Sequence, residues 1–67
     1  MPTYHVIEGN AHLPAYWIAG EDTSGAPLGI QMHAQDKEAA RQQAESGKRL
    51  PKGVRFRTIT NVELIVS

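Results

Sequence analysis

The stretch VRFRTITNVELIV, residues 54–66, decides the fold because it alternates apolar and polar side chains almost without fault. Every second position from Val54 onward is apolar or threonine, whereas most of the positions between them, from Arg55 onward, are polar. Successive side chains of a β-strand point to opposite faces, so this pattern predicts a strand with one buried and one mostly solvated face. The rest of the chain must supply a core against it.

The length of this stretch leaves two interpretations open. Thirteen residues exceed the usual strand length of about 5–6. The stretch is either one strand that bends near Thr60 and Asn61, or a hairpin over residues 59–61 with Asn61 left-handed. A two-residue turn would bring opposite faces together, so the register argues against it. We favour the single bent strand.

Size and composition bound the class of protein. The chain has 67 residues and no cysteine, which predicts a single small domain without disulfides or cysteine-based zinc sites. No apolar run approaches the roughly 20 residues of a membrane span, and the N-terminus lacks the pattern of a signal peptide. We therefore expect a soluble protein of the cytoplasm without contact to a membrane.

Three shorter segments with strand character precede the long one, at residues 4–8, 15–19 and 28–34. The glycine- and proline-containing loop 20–27 predicts a hairpin between the second and third strands. Asp36 is a helix N-cap residue, residues 37–46 are good helix formers, and Gly47 suits a left-handed C-terminal position. The order β-β-β-α-β predicts an α+β domain: an antiparallel sheet of about four strands with one helix packed on one face.

Motifs that would carry chemistry are missing from the sequence. The histidines, His5, His12 and His33, lack the close spacing of metal-ligand pairs. The chain has neither a Gly-x-Ser-x-Gly motif nor a glycine-rich phosphate loop. The adjacent acids Glu21 and Asp22 fall in the predicted hairpin loop, where a pocket that shifts a pKa is not expected. We predict a protein without catalytic residues, metal or cofactor.

The charges are unevenly distributed although their sum is zero. Residues 1–35 contain acids but no Lys or Arg, whereas residues 48–57 contain five cations and no acid. This asymmetry predicts a basic surface that binds nucleic acid or an acidic protein; the alternative is a solvated face whose arginines pair with acids on neighbouring strands. The candidate binding residues are Arg41, Lys48, Arg49, Lys52, Arg55 and Arg57. Tyr16 and Trp17 would either stack bases or fill the core, and one of the two must face inward because the strand alternates.

The segment GIQMHAQ, residues 29–35, together with Ala40 and Ala44, resembles a family of small type I-F anti-CRISPR proteins from phages. The likeness covers about the middle third of the chain, with a weaker echo at residues 4–8 and 54–58, and the strand at 15–19 departs from it. The resemblance implies a non-enzymatic inhibitor that binds a subunit of a CRISPR effector complex of the host. Arg41 is the helix position at which a basic contact residue carries over.

Two further hypotheses belong to other classes of protein. Residues 48–57 would serve a small nucleic-acid-binding module. Alternatively, the long strand would pair with its own copy in a homodimer, as an exposed sheet edge allows. The β-β-β-α order also resembles HicB-type antitoxin domains and the arm-binding domain of phage integrases.

Overall fold

The computed structural model describes residues 3–9, 11–47 and 49–66. Its elements are β1 (Thr3–Val6), β2 (Ala15–Asp22), β3 (Pro27–His33), α1 (Lys37–Ser46) and β4 (Phe56–Val66). The predicted order β-β-β-α-β is therefore confirmed, and so is the α+β class with one helix. The second strand is longer than expected, and the fourth begins two residues later than expected.

The four strands form one sheet in the order β1-β3-β2-β4. β2 is antiparallel to both of its neighbours, but β1 runs parallel to β3. The prediction of a purely antiparallel sheet was therefore wrong in this one pair. The reason is that β3, the second strand of the β2–β3 hairpin, lies between β1 and β2, so β1 pairs with a strand that is not its neighbour in sequence.

The turn of the β2–β3 hairpin is organised by Asp22. Its Oδ1 accepts hydrogen bonds from the backbone N–H and the hydroxyl of Ser24, at 2.8 and 2.6 Å, and from the N–H of Ala26 at 3.0 Å. Gly25 takes the left-handed conformation with φ 89°, which glycine adopts without a steric penalty. The predicted hairpin is confirmed, with a loop shorter than residues 20–27 because β2 continues to Asp22.

Helix α1 has the predicted ends. The Asp36 carboxylate accepts a hydrogen bond from the N–H of Ala39 at 2.8 Å, and Gly47 closes the helix with φ 71°. Ala40 and Ala44 are fully buried against the sheet. Since alanines bury little area, the core depends on the larger side chains that the sheet presents to the helix, namely Tyr16, Ile18, Leu28, Ile30, Met32 and Val62.

β4 is one strand, so the interpretation as a hairpin is excluded. Its pairing with β2 shifts between Ala19 and Gly20, which leaves Thr60 as an extra residue at the predicted bend. The hydroxyl of Thr60 donates to the Ala19 carbonyl at 3.2 Å. The shift also moves Ile59 to the position opposite Gly20, where it packs on the core. The strict alternation was therefore wrong for Ile59, because a bulge exchanges the faces on either side of it.

Candidate functional site

Arg41, the cation on the helix, is engaged by acids of its own helix. Its guanidinium lies 2.9 Å from a carboxylate oxygen of Glu45 and 3.8 Å from one of Glu38. About half of each of the Arg41 and Glu45 side chains is exposed, and such surface pairs contribute little to stability. Arg41 is accessible to a partner, but its charge is locally compensated.

The cations between the helix and β4 lie in a loop that we call the basic segment, residues 49–55. Lys48 is outside the described residues. Lys52 and Arg55 are exposed, and Arg49 is half-buried, with its guanidinium against Gly9. Among the described residues, none of these three cations forms an ion pair with a carboxylate.

The basic segment is attached to the core rather than loosely connected. Leu50 and Val54 pack against the buried cluster. The N–H of Leu50 donates to the Gly47 carbonyl at 3.3 Å, and the N–H of Val54 donates to the Pro51 carbonyl at 3.0 Å. Between these anchors, Pro51, Lys52 and Gly53 are all exposed. The tip of the segment is thus convex, and both of its ends are fixed.

Arg55 and Arg57 were expected to share one strand face, and the structure separates them. Arg55 precedes β4, and its side chain lies over Gly47 at the end of the helix, where the helix dipole favours a cation. Arg57 lies at the turn end of the β2–β3 hairpin, and its guanidinium is 3.8 Å from a carboxylate oxygen of Glu21. That distance and the exposure of both side chains make the pair a weak one. Among the candidate cations that the structure describes, Arg57 is the one that meets an acid of the N-terminal half.

The sheet surface opposite the helix, which we call the open face, carries an aromatic pair that the sequence analysis did not single out. The rings of Tyr4 and Trp17 are 5.2 Å apart at 30° to each other, and Tyr4 is 57% exposed. The ring of Trp17 lies over Gly29, since a Cβ added to Gly29 would come within 2.5 Å of the Trp17 Cζ2. Tyr16 is the inward residue of the two adjacent aromatics on β2.

The aromatic pair forms one wall of a shallow apolar depression of about 290 Å³. Its floor is made of small residues on the two central strands, which is why the surface is concave there. The lining residues are Tyr4, Trp17, Ala19, Gly20, Pro27, Leu28, Gly29 and Thr60. Exposed apolar surface of this kind is a common sign of an interaction site.

Acidic side chains flank this depression. Glu63 lies directly across from Trp17, and Glu21 lies directly across from Pro27. Directly opposite residues of paired strands project to the same face, so both carboxylates belong to the open face. The open face is therefore aromatic and acidic, whereas the basic segment is attached to the helix end of the molecule.

The hydrogen bonds of the hairpin turn affect the ionisation of Asp22. The hydrogen bond from the Ser24 hydroxyl, helped by backbone N–H groups of the turn, holds the pKa of Asp22 below its usual value of 3.8. These hydrogen bonds favour the ionised form of the carboxylate. This serves the turn rather than proton transfer, since all of its bonds stay within the hairpin.

The histidines do not converge in the part of the chain that the structure describes, and no group of three or more potential metal ligands occurs there. The ring of His33 instead bonds to the Leu13 carbonyl, with Nδ1 2.7 Å from the oxygen. Across the same described ranges, the helix is too short and too polar to cross a membrane. The chain matches no protein-family model, and no curated protein or solved structure is significantly similar to it.

Proposed function

We propose that this protein is a non-catalytic binding protein that docks its basic segment onto an anionic surface of a larger assembly. The observation that carries the proposal is that Arg49, Lys52 and Arg55 have no carboxylate partner among the described residues. A cation without an internal partner retains its full field toward solvent, and such a field steers association with an anionic surface.

The way the segment is held supports this function. Because Leu50 and Val54 anchor it to the core, its cations lose less conformational freedom on binding than those of a disordered tail would. In addition, the described part of the chain buries no polar or charged residue. A small rigid scaffold that displays charge is suited to recognition.

The resemblance to type I-F anti-CRISPR proteins directs the choice of the first partner to test. In this form of the proposal, the protein acts in the bacterial cytoplasm and inhibits a type I CRISPR effector complex. Such a complex offers the phosphates of its guide RNA and acidic protein surfaces to the basic segment. Arg41, on the exposed side of the helix, would extend the contact.

Charge reversals of exposed cations would test the proposal. We expect Lys52→Glu combined with Arg55→Glu to weaken binding to a purified type I-F effector complex by at least about tenfold, which corresponds to about 1.4 kcal/mol. Lys37→Glu changes another exposed lysine, in the first turn of the helix, and serves as the control. Biolayer interferometry at several salt concentrations gives both affinities. Equal affinity of the double variant and the wild type would refute the proposal.

The nucleic-acid hypothesis retains one supporting observation, which is that Trp17 lies beside Tyr4 on the open face rather than in the core. Stacking of bases on exposed aromatics is a common mode of single-strand binding. The carboxylates of Glu21 and Glu63 on the same face oppose a phosphate backbone, so we place this function second. Anisotropy titrations of labelled single-stranded RNA and DNA decide it: binding as tight as to the effector complex would favour it.

A further inference from the structure

The carboxylates of the open face favour a positively charged partner. Glu21 and Trp17 are four residues apart on β2, and Glu63 lies across from Trp17, so the two carboxylates are separated by about 13 Å along the strands. Arg57 partly neutralises Glu21, whereas Glu63 has no ion pair among the described residues. Two open faces packed against each other would place like charges together, which argues against a face-to-face dimer.

The chain itself contains a segment of the required chemistry and shape. The tip of the basic segment is convex, with Pro51, Lys52 and Gly53 exposed, and a Cβ added to Gly53 would meet no atom within 4 Å. A proline ring is apolar and flat enough to lie on exposed aromatic rings, as in the recognition of proline-rich segments. Lys52, the next residue, supplies the cation.

We propose that the basic segment of one copy of this protein docks on the open face of a second copy. Pro51 lies on the Tyr4–Trp17 pair, and the Lys52 ammonium faces the Glu63 carboxylate. The contact joins two different surfaces, so it is head-to-tail and leads to short chains or rings rather than to a closed symmetric dimer. A convex loop on a shallow depression buries little area, so the association is weak and sensitive to salt.

This self-association does not rest on the proposed function, but it bears on it. A docked basic segment is hidden from any other anionic partner. At high concentration self-association would therefore compete with partner binding. Dilution, or the partner itself, would free the basic segment.

Sedimentation equilibrium of the full chain tests the proposal. At roughly 1 mM chain in low salt, we expect a weight-average mass at least about one and a half times that of the monomer, as for a weak contact. The mass should fall to the monomer value in about 0.5 M salt, where surface charges are screened. Trp17 is the only tryptophan, so its emission spectrum should shift over the same concentration range. A monomer at 1 mM in low salt would overturn the proposal.

Charge exchange provides the specific control. Lys52→Glu and Glu63→Lys should each be monomeric alone, and an equimolar mixture should associate again, because the acidic loop of one variant meets the basic face of the other. Lys37→Glu should associate like the wild type. Failure of the mixture to associate while both variants are folded by circular dichroism would refute the pairing. If Glu63→Lys does not fold, Glu63→Gln replaces it and should weaken the wild-type association by several-fold.

Two further outcomes distinguish self-association from the binding of a foreign segment and from the proposed function. A monomeric wild type whose Trp17 emission responds to a free Pro-Lys-containing peptide would mean that a foreign segment, not a second copy, occupies the open face. Glu63→Lys should leave binding to the effector complex unchanged, whereas Lys52→Glu should weaken both interactions. Loss of effector binding alone therefore bears on the proposed function and not on self-association.

Discussion

Gly20→Ala is expected to destabilise the fold more than an alanine at Gly29, the other glycine within the sheet. Gly20 lies at the register shift between β2 and β4. An added Cβ would come within 2.9 Å of the Ile59 Cα and 3.0 Å of the Thr58 carbonyl carbon, and closer still to the Thr58 oxygen. Ordinary contacts begin near 3.4 Å. Because the atoms in the way belong to the backbone of β4 and cannot rotate aside, β2 and β4 must separate.

The cost follows from these contacts. Overpacking costs about 1–3 kcal/mol, and a ladder hydrogen bond lost by strand separation costs about 1 kcal/mol more. We expect a loss of about 2–4 kcal/mol, from a total stability of about 3–10 kcal/mol for a chain of this length. The corresponding fall in melting temperature is roughly 8–32 °C.

Gly29→Ala is the matched control. Neither Gly20 nor Gly29 has a positive φ, so the backbone tolerates alanine at both. At Gly29 the added Cβ meets the ring of Trp17, a half-buried side chain that can turn toward solvent at a cost below about 1.5 kcal/mol. Urea unfolding followed by circular dichroism measures both variants. If Gly20→Ala is no less stable than Gly29→Ala, the reasoning about the bulge is wrong.

Four further outcomes are expected in similar unfolding experiments. Ile30→Ala, at a fully buried position, should cost about 2–4 kcal/mol through the cavity it leaves. Gly47→Ala should cost about 1–2 kcal/mol, because φ is 71° there. Arg41→Ala should change stability by less than about 0.5 kcal/mol, since its ion pairs are exposed. Hydrogen bonds from Ser24 lower the pKa of Asp22, so its carboxylate stabilises the folded chain at neutral pH and this stabilisation is lost as the pH falls below about 3.8. Asp22→Asn should remove that part of the acid dependence of stability. A titration of the melting temperature against pH measures it.

Local chemistry explains why much of the fold could be predicted. The helix bounds depend on the side chain of Asp36 and on the left-handed Gly47, and both act within one turn of chain. The alternation of Leu28, Ile30 and Met32 identified a face that is buried throughout in the structure. Such short-range patterns are complete in the sequence itself.

The features that could not be predicted depend on contacts between distant segments. The parallel pairing of β1 with β3 could not be predicted because the sequence does not show which strand lies beside β1. Strands that follow each other in sequence usually pair, but here β1 pairs with β3 and not with β2. The inward position of Ile59 depends on a bulge opposite Gly20. The sequence offered one signal for the open face: of the adjacent Tyr16 and Trp17, one must point away from the core, and the bulkier Trp17 does so over Gly29.

The uneven distribution of charges in the sequence is kept only in part in three dimensions. Arg55 lies at the helix end of the molecule, whereas Trp17 and its neighbour Glu63 belong to the opposite surface. Arg57 reaches an acid of the N-terminal half only at the hairpin end, and at 3.8 Å. Among the described residues, Arg49, Lys52 and Arg55 form no ion pair with a carboxylate. Their charges are therefore open to solvent ions or to an anionic partner, which is the premise of the binding function proposed above.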